Sequence, residues 1–212
     1  MFSDATGRQD KRTIKKIIGH SDIITDFAFS PFDDGLVATG SQDQTIKLWR
    51  LPSAGTGLKS DMTTAELVLP EQTRRVETVT WHPTADCLLT SSSGTSVTLW
   101  DCVTGAEVWT WSQHQDQVQS VAWQWEGKLM STTAKDKKLR VFDVRVNDES
   151  PVQEADSHDG VKDSKVVWVT DNIMLTSGFG QDRARQLIMR DVRNIDETLH
   201  VQSLDVSAGT TL

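Results

Sequence analysis

The sequence predicts an all-β fold made of repeated four-stranded antiparallel sheets, and three observations predict it. Apolar and polar residues alternate over short runs, the signature of half-buried strands. Clusters such as "SPFDDG", "HPTAD", "QWEG" and "TDN" break those runs as tight turns do. A unit that closes on Trp49, Trp100, Phe142 and Arg190 returns about every 40 to 50 residues, the period of β-propeller blades. No stretch keeps helical spacing.

Repeat one carries "DFAFSP" (Asp26–Pro31) and "ATGSQDQTIKLW" (Ala38–Trp49). Its strands are expected near 23–29, 36–41, 45–51 and 66–69. Repeat two has "TVTWHP" (Thr78–Pro83) and "LTSSSGTSVTLWD" (Leu89–Asp101), with strands near 76–81, 87–92, 96–101 and 106–111. Repeat three reads "SVAWQW" and "STTAKDKKLRVFD"; repeat four, the loosest, reads "KVVWVTDNIMLTSGF" and "RQLIMRD". The units run over 19–69, 72–112, 113–156 and 157–205, inside one domain at 12–212, after a disordered segment at 1–11.

Composition narrows the function. The chain has 212 residues, a net charge of −8, two cysteines, eight tryptophans and no tyrosine. A nucleic-acid partner is excluded by that charge, since such binders need a positive field. Membrane insertion is excluded because no apolar run reaches spanning length. Two cysteines cannot make a disulfide framework and suit a reducing cytoplasm. Tryptophan used this heavily points to a recurring structural position.

In a four-stranded meander, the loop leading into strand one and the turn between strands two and three share an edge. That brings His20 and Asp43 together. A neutral imidazole accepts on one nitrogen and donates on the other, so Asp43, His20, a strand-two hydroxyl (Thr39 or Ser41) and the Trp49 indole N–H can form one network. Trp100 closes repeat two in the same way, and the His–Asp pair recurs as His114 and Asp136. Repeat two has Gln72 and Gly94 where His and Asp are expected, and Phe142 in repeat three cannot donate. A catalytic His20–Asp43 dyad is the rival reading, but no nucleophile accompanies it and the pair repeats with the blade. Scattered histidines exclude zinc. His82 is expected to face solvent, and Cys87 and Cys102 to act as small apolar packing residues. No phosphate loop or nucleophile elbow occurs. The chain is read as no enzyme, with no cofactor.

The stretch from Gly19–His20 to Trp49 resembles the WD-repeat signature, with Trp100–Asp101 an intact Trp–Asp pair. In repeat four, His158–Gly160, Thr176–Phe179, Arg185–Leu187 and Leu204–Gly209 resemble the matching blade of coronins, as does "VTWHPTADCLLTSSS" in repeat two. The divergent closing residues resemble the tandem-propeller type. The resemblance implies a seven-bladed, non-enzymatic propeller that binds actin filaments and regulates cytoskeletal organisation. It implies a cytoplasmic, cytoskeleton-associated protein, with the Golgi or vesicle periphery as a further location. A generic WD-repeat scaffold, a trafficking or ubiquitin-ligase adaptor, is the alternative.

About four blades of those seven are present, so an open arc is expected. "RTIKKII" (Arg12–Ile18) takes the place of a preceding blade's outer strand, and "TLHVQSLD" (Thr198–Asp205) that of repeat four's own. A closed four-blade ring needs only one strand there. Uncovered blade faces are costly, at about 1.5–3 kcal/mol per large side chain, so the chain on its own is expected to aggregate or associate. Arg74, Arg75, Lys135, Lys137, Lys138 and Arg183 gather on the His20–Asp43 edge. They read either as a local positive patch for an acidic filament or as ordinary solvated turn residues.

Overall fold

The computed structural model describes residues 14–52, 58–146 and 148–206. The segment at 1–11 lies outside the described residues, as does the tail beyond Val206. Among the described residues, sixteen strands form four antiparallel sheets, and within each sheet every strand pairs with the next in sequence. Blade one holds β1 (Ile24–Phe29), β2 (Leu36–Ser41), β3 (Ile46–Arg50) and β4 (Leu67–Val68). Blade two holds β5 (Val76–Trp81), β6 (Leu88–Ser93), β7 (Ser96–Asp101) and β8 (Ala106–Trp111). Blade three holds β9 (Val118–Trp123), β10 (Leu129–Ala134), β11 (Lys138–Asp143) and β12 (Gln153–Asp156). Blade four holds β13 (Lys165–Trp168), β14 (Ile173–Phe179), β15 (Ala184–Asp191) and β16 (Asn194–Val206).

Alternation explains how the blades stack. Even and odd residues of β2 and β3 point to opposite faces, and the even-numbered one is apolar through Leu36, Ala38, Ile46 and Leu48. Leu36, Ala38, Ile46 and Leu48 of blade one bury against Val76, Val79 and Trp81 of blade two. Val97, Leu99 and Trp111 meet Val118, Val121 and Trp123 in the next interface. Leu139 and Val141 meet Val166, Trp168 and Met174 in the third.

Five of the eight tryptophans fall at two recurring positions. Trp49 and Trp100 close strand three, and Trp81, Trp123 and Trp168 close strand one, whereas Trp109 and Trp111 lie on the fourth strand of blade two and Trp125 follows β9. The strand-one indoles stitch blades together: Trp81 Nε1 donates to Ala28 O at 2.9 Å, Trp123 Nε1 to Thr90 Oγ1 at 2.9 Å, and Trp168 Nε1 to Ala122 O at 3.2 Å. Each buried N–H thereby finds a partner while its ring fills the interblade space.

Two expectations are corrected. Residues Lys16–Ile18 of "RTIKKII" form no strand. Ile18 N donates to Met62 O and Met62 N to Lys16 O, both at 2.8 Å, so one parallel bridge to the β3–β4 connection takes up their backbone groups. His82 is buried, not solvent-facing. Its Nδ1 accepts from the N–H groups of Thr84 and Ala85, Nε2 lies 3.0 Å from Gly127 O, and its ring packs on Trp123 at 4.5 Å. Gly127, at φ +72°, permits this contact, because a Cβ there would stand 2.2 Å from the imidazole.

Candidate functional site

The edge that carries His20 and Asp43 is organised by the β2–β3 turns. Asp43, Asp136 and Asp182 each accept, through Oδ1, the N–H two residues ahead. The intervening Gln44, Lys137 and Arg183 adopt φ of 68°, 64° and 63°. An Asp that bonds its own turn backbone and a following left-handed residue define this turn three times.

Behind the turn, blade one has a continuous hydrogen-bonded chain. The Trp49 indole donates to Thr39 Oγ1 at 2.8 Å, and Thr39 Oγ1 lies 2.7 Å from His20 Nε2. His20 Nδ1 lies 3.0 Å from Asp43 Oδ2. Asp43 also accepts from the Ser21 N–H and the Thr45 hydroxyl. Burial alone would raise its pKa, but these donors outweigh burial and hold it well below the carboxylate range. Ser41 is not in the chain; its hydroxyl donates to Ile23 O and accepts from Asp43 N, tying the turn to the loop before β1. Both imidazole nitrogens are thus engaged and the acid is fixed as a carboxylate.

The other blades keep one column and vary the rest. Thr39, Ser91, Thr132 and Thr176 occupy one register position on strand two, and all are buried. In blade two Ser91 receives the Trp100 indole at 2.9 Å with no histidine behind it. In blade three Thr132 meets His114 Nε2 at 2.8 Å, and in blade four Thr176 meets His158 Nε2 at 3.1 Å. Ser91, Thr132 and Thr176 escaped the sequence reading. The signal was the hydroxyl two residues after the β2-type residue paired with strand one's closing aromatic.

The His114–Asp136 pair is not formed. His114 Nδ1 faces Thr95 O at 3.1 Å, and Asp136 is taken by Arg140 at 2.7 Å in a buried ion pair. A guanidinium on strand three, where blade one has Lys47, outcompetes a neutral imidazole for the carboxylate. Arg190 stands where a closing Trp is expected. It is buried and donates through Nη2 to Asp156 O at 2.7 Å, while Nε and Nη1 have no acceptor among the described residues. Burial lowers its pKa. Arg190→Trp is therefore expected to raise stability by about 1–3 kcal/mol, since an indole removes two orphaned donors and offers one N–H to Thr176. A urea midpoint that fails to rise would show that the Asp156 contact outweighs those orphans.

The structure distributes the six basic rim residues unevenly. Arg74 and Arg75 line a cleft of about 900 Å³ between blades one, two and three, with Gln42, Gln44, Gln117 and two carboxylates, Glu77 and Asp116. Arg75 is ion-paired with Glu77 in the same wall. Lys135 donates to Gln117 Oε1 at 2.7 Å beside that cleft, and Lys137 to Asp159 O at 2.8 Å. Lys138 is the first residue of β11, not a turn residue, and its ammonium is 2.7 Å from Asp156. Arg183 sits apart on the blade-four turn. Burial pushes the Cys102 thiol up to about 12 and raises that of Cys87, so neither is a poised nucleophile. Among the described residues, no cluster of three or more His, Cys, Asp or Glu could hold a metal, and no helix is long and apolar enough to cross a membrane.

Comparison with known proteins matches these features. The family model described as WD domain, G-beta repeat, matches residues 11–50, 64–101 and 105–143. The chain is 40% identical over 200 residues to Coronin-7 of Bos taurus, covering 94% of this chain and 21% of that protein. It is 34% identical to human Coronin-2A, covering 96% of this chain and 39% of the relative. The solved WD40 domain of Toxoplasma gondii coronin superposes with a TM-score of 0.82 at 28% identity, covering 89% of this chain and 49% of that one. The chain thus spans about a fifth of the length of the Coronin-7 relative and about half of the solved domain.

Proposed function

The chain belongs to the WD40-repeat family and is coronin-like over nearly its whole length, and on that premise we propose that it binds actin filaments without catalysis and regulates actin organisation. It acts in the cytoplasm on the cytoskeleton, with coupling to membrane traffic at the Golgi or vesicle periphery. The observation that carries this reading beyond family likeness is the cleft walled by Arg74 and Arg75. It puts two guanidinium groups on one rim of a chain whose net charge is −8. Guanidinium groups in a groove suit carboxylate-rich partners, and their effect falls with salt.

Co-sedimentation with filaments tests this. Arg74→Glu with Arg75→Glu is expected to weaken binding about tenfold, with the difference shrinking at high salt. Lys138→Glu, whose ammonium already sits between Asp156 and Glu154, is expected to change binding by less than about twofold. Unchanged binding by the double variant would remove the cleft from the interface. A wild-type chain that stays in the supernatant would remove actin. The scaffold reading then takes its place, favoured by the internal Arg75–Glu77 and Lys138–Asp156 pairs that already neutralise part of the rim.

A further inference from the structure

The column histidines differ in what meets their second ring nitrogen. An oxygen acceptor stands at Nδ1 of His20 in blade one, the Asp43 carboxylate at 3.0 Å, and at Nδ1 of His114 in blade three, the Thr95 carbonyl at 3.1 Å. His158 of blade four keeps the contact to the column hydroxyl through Nε2, yet its Nδ1 meets no partner among the described residues. Asp182, the counterpart of Asp43, bonds its own turn through the Ala184 N–H and does not reach the ring. The His158 side chain is buried, at 4% exposure, so bulk water does not serve that nitrogen either. A buried polar atom left this way costs about 1–3 kcal/mol, which a bound acceptor recovers.

His158 lines a cavity of about 180 Å³ between blades three and four, which shares only Asp116 with the cleft walled by Arg74 and Arg75. Lys135, Lys137 and Lys162 line the same cavity. Lys135 and Lys137 each commit one N–H, to Gln117 Oε1 and Asp159 O, and an ammonium carries three. Lys162 lies over the Phe179 ring, 4.8 Å from its centre, which keeps it beside the pocket. Burial first, and then the charge of Arg190, lowers the His158 pKa to about 4, so the imidazole is neutral and the lysines supply the charge. Three lysines against the one carboxylate of Asp116 leave a surplus of two positive charges, the complement of a phosphate monoester near neutral pH. The volume admits one such group and little more.

We propose that this pocket binds the phosphoryl group of a phosphoserine or phosphothreonine in a protein partner, with one oxygen at His158 Nδ1, as Asp43 stands at His20, and the others toward the three ammonium groups. Such an oxygen draws the ring proton to Nδ1, as the carboxylate does in blade one. A peptide suits the surroundings better than a bilayer. Val161, another lining residue, is 94% exposed and offers an apolar foothold to a side chain next to the phosphorylated one. Asp116, Asp159 and Asp163 are exposed on the same loops, and with a net charge of −8 they hold an anionic membrane surface off, whereas one phosphoryl group on an extended segment reaches past them. The site asks nothing of the Arg74–Arg75 cleft and stands whether or not that cleft meets actin.

Calorimetric titration of the 212-residue chain with capped Leu–phosphoserine–Leu tests this, beside capped Leu–Glu–Leu, inorganic phosphate, and phosphatidylcholine vesicles carrying phosphatidylinositol phosphate. The phosphopeptide is expected to bind saturably, tighter than inorganic phosphate or the vesicles and at least about tenfold tighter than the glutamate peptide. Lys135→Gln with Lys137→Gln, both exposed, is expected to weaken it about tenfold. Arg145→Gln with Arg193→Gln removes the same charge from turns on the opposite edge and is expected to change it less than about twofold. A measurement on the unsubstituted chain reads the contact itself: in nitrogen–proton correlation spectra His158 Nδ1 is expected to shift on titration, while His114 Nδ1, covered by Thr95 O, stays in place. Equal binding of the two peptides, no saturable binding, an affinity unmoved by the lysine substitutions, or a His158 Nδ1 that does not move overturns the proposal. Inorganic phosphate or vesicles binding tighter than the phosphopeptide overturns it too, and makes free phosphate or a lipid headgroup the occupant.

Discussion

Trp100→Ala is expected to lower the stability of the whole chain by about 3–5 kcal/mol, a large part of the 5–15 kcal/mol that holds a domain folded. The indole is fully buried in the cluster that joins blades one and two, so its loss opens a cavity between sheets and not at a surface. It also frees the Ser91 hydroxyl. Blade two has no histidine to replace the lost donor, because the Gln72 side chain is turned to Pro70 O. Trp100→Phe separates the two effects. A phenyl ring is tolerated at Phe142, where His114 serves the column hydroxyl of Thr132. In blade two it would leave Ser91 buried without its indole donor, at about 1–3 kcal/mol. Urea unfolding of both variants measures this. If Trp100→Ala shifts the midpoint by less than the phenylalanine variant, the closing aromatic is not what ties the blades together.

The period-two pattern made the sheets legible because each blade face buries every second residue. Strands β5, β7 and β8 match the sequence reading to the residue. Strand β6 begins one residue later, at Leu88, since Cys87 takes a left-handed φ of 59° that no glycine announces. The Trp49 network was legible because all its members lie in one repeat, within the loop before β1, one turn and two strands. What escaped depends on contacts between repeats or on competition within one. His82 reads as a turn residue until Gly127, 45 positions on, closes over it. Asp136 reads as a partner for His114 until a charged donor, Arg140, comes within reach. Lys16–Ile18 has a strand's pattern, yet its hydrogen bonds go to Met62. Pattern tells which faces are apolar, but pairing depends on which edges are open.

The two column histidines of blades three and four make stability depend on pH in a definite window. Burial, reinforced by the neighbouring Arg140 for His114 and Arg190 for His158, lowers each imidazole from 6.5 to about 4. In the folded chain both stay neutral until the pH approaches 4, while in the unfolded chain both take up protons near 6.5. Between those values the unfolded state binds more protons, so stability falls as the pH falls. The loss from pH 7 to pH 5 is expected to be about 2 kcal/mol per histidine, and it levels off below about 4. Asp43 acts in a different range. Its pKa is depressed in the fold, so its contribution is fully present above the unfolded value near 3.9 and is lost only as the pH falls below that. Urea midpoints at pH 7 and pH 5 therefore report these two histidines together with His82, whose pKa burial also lowers, and not Asp43. His114→Gln with His158→Gln, which keeps an acceptor near Thr132 and Thr176, is expected to flatten most of the difference. A wild-type profile already flat over this interval would mean that the two rings are hydrated in solution, and that blades three and four part far enough to admit water to the column.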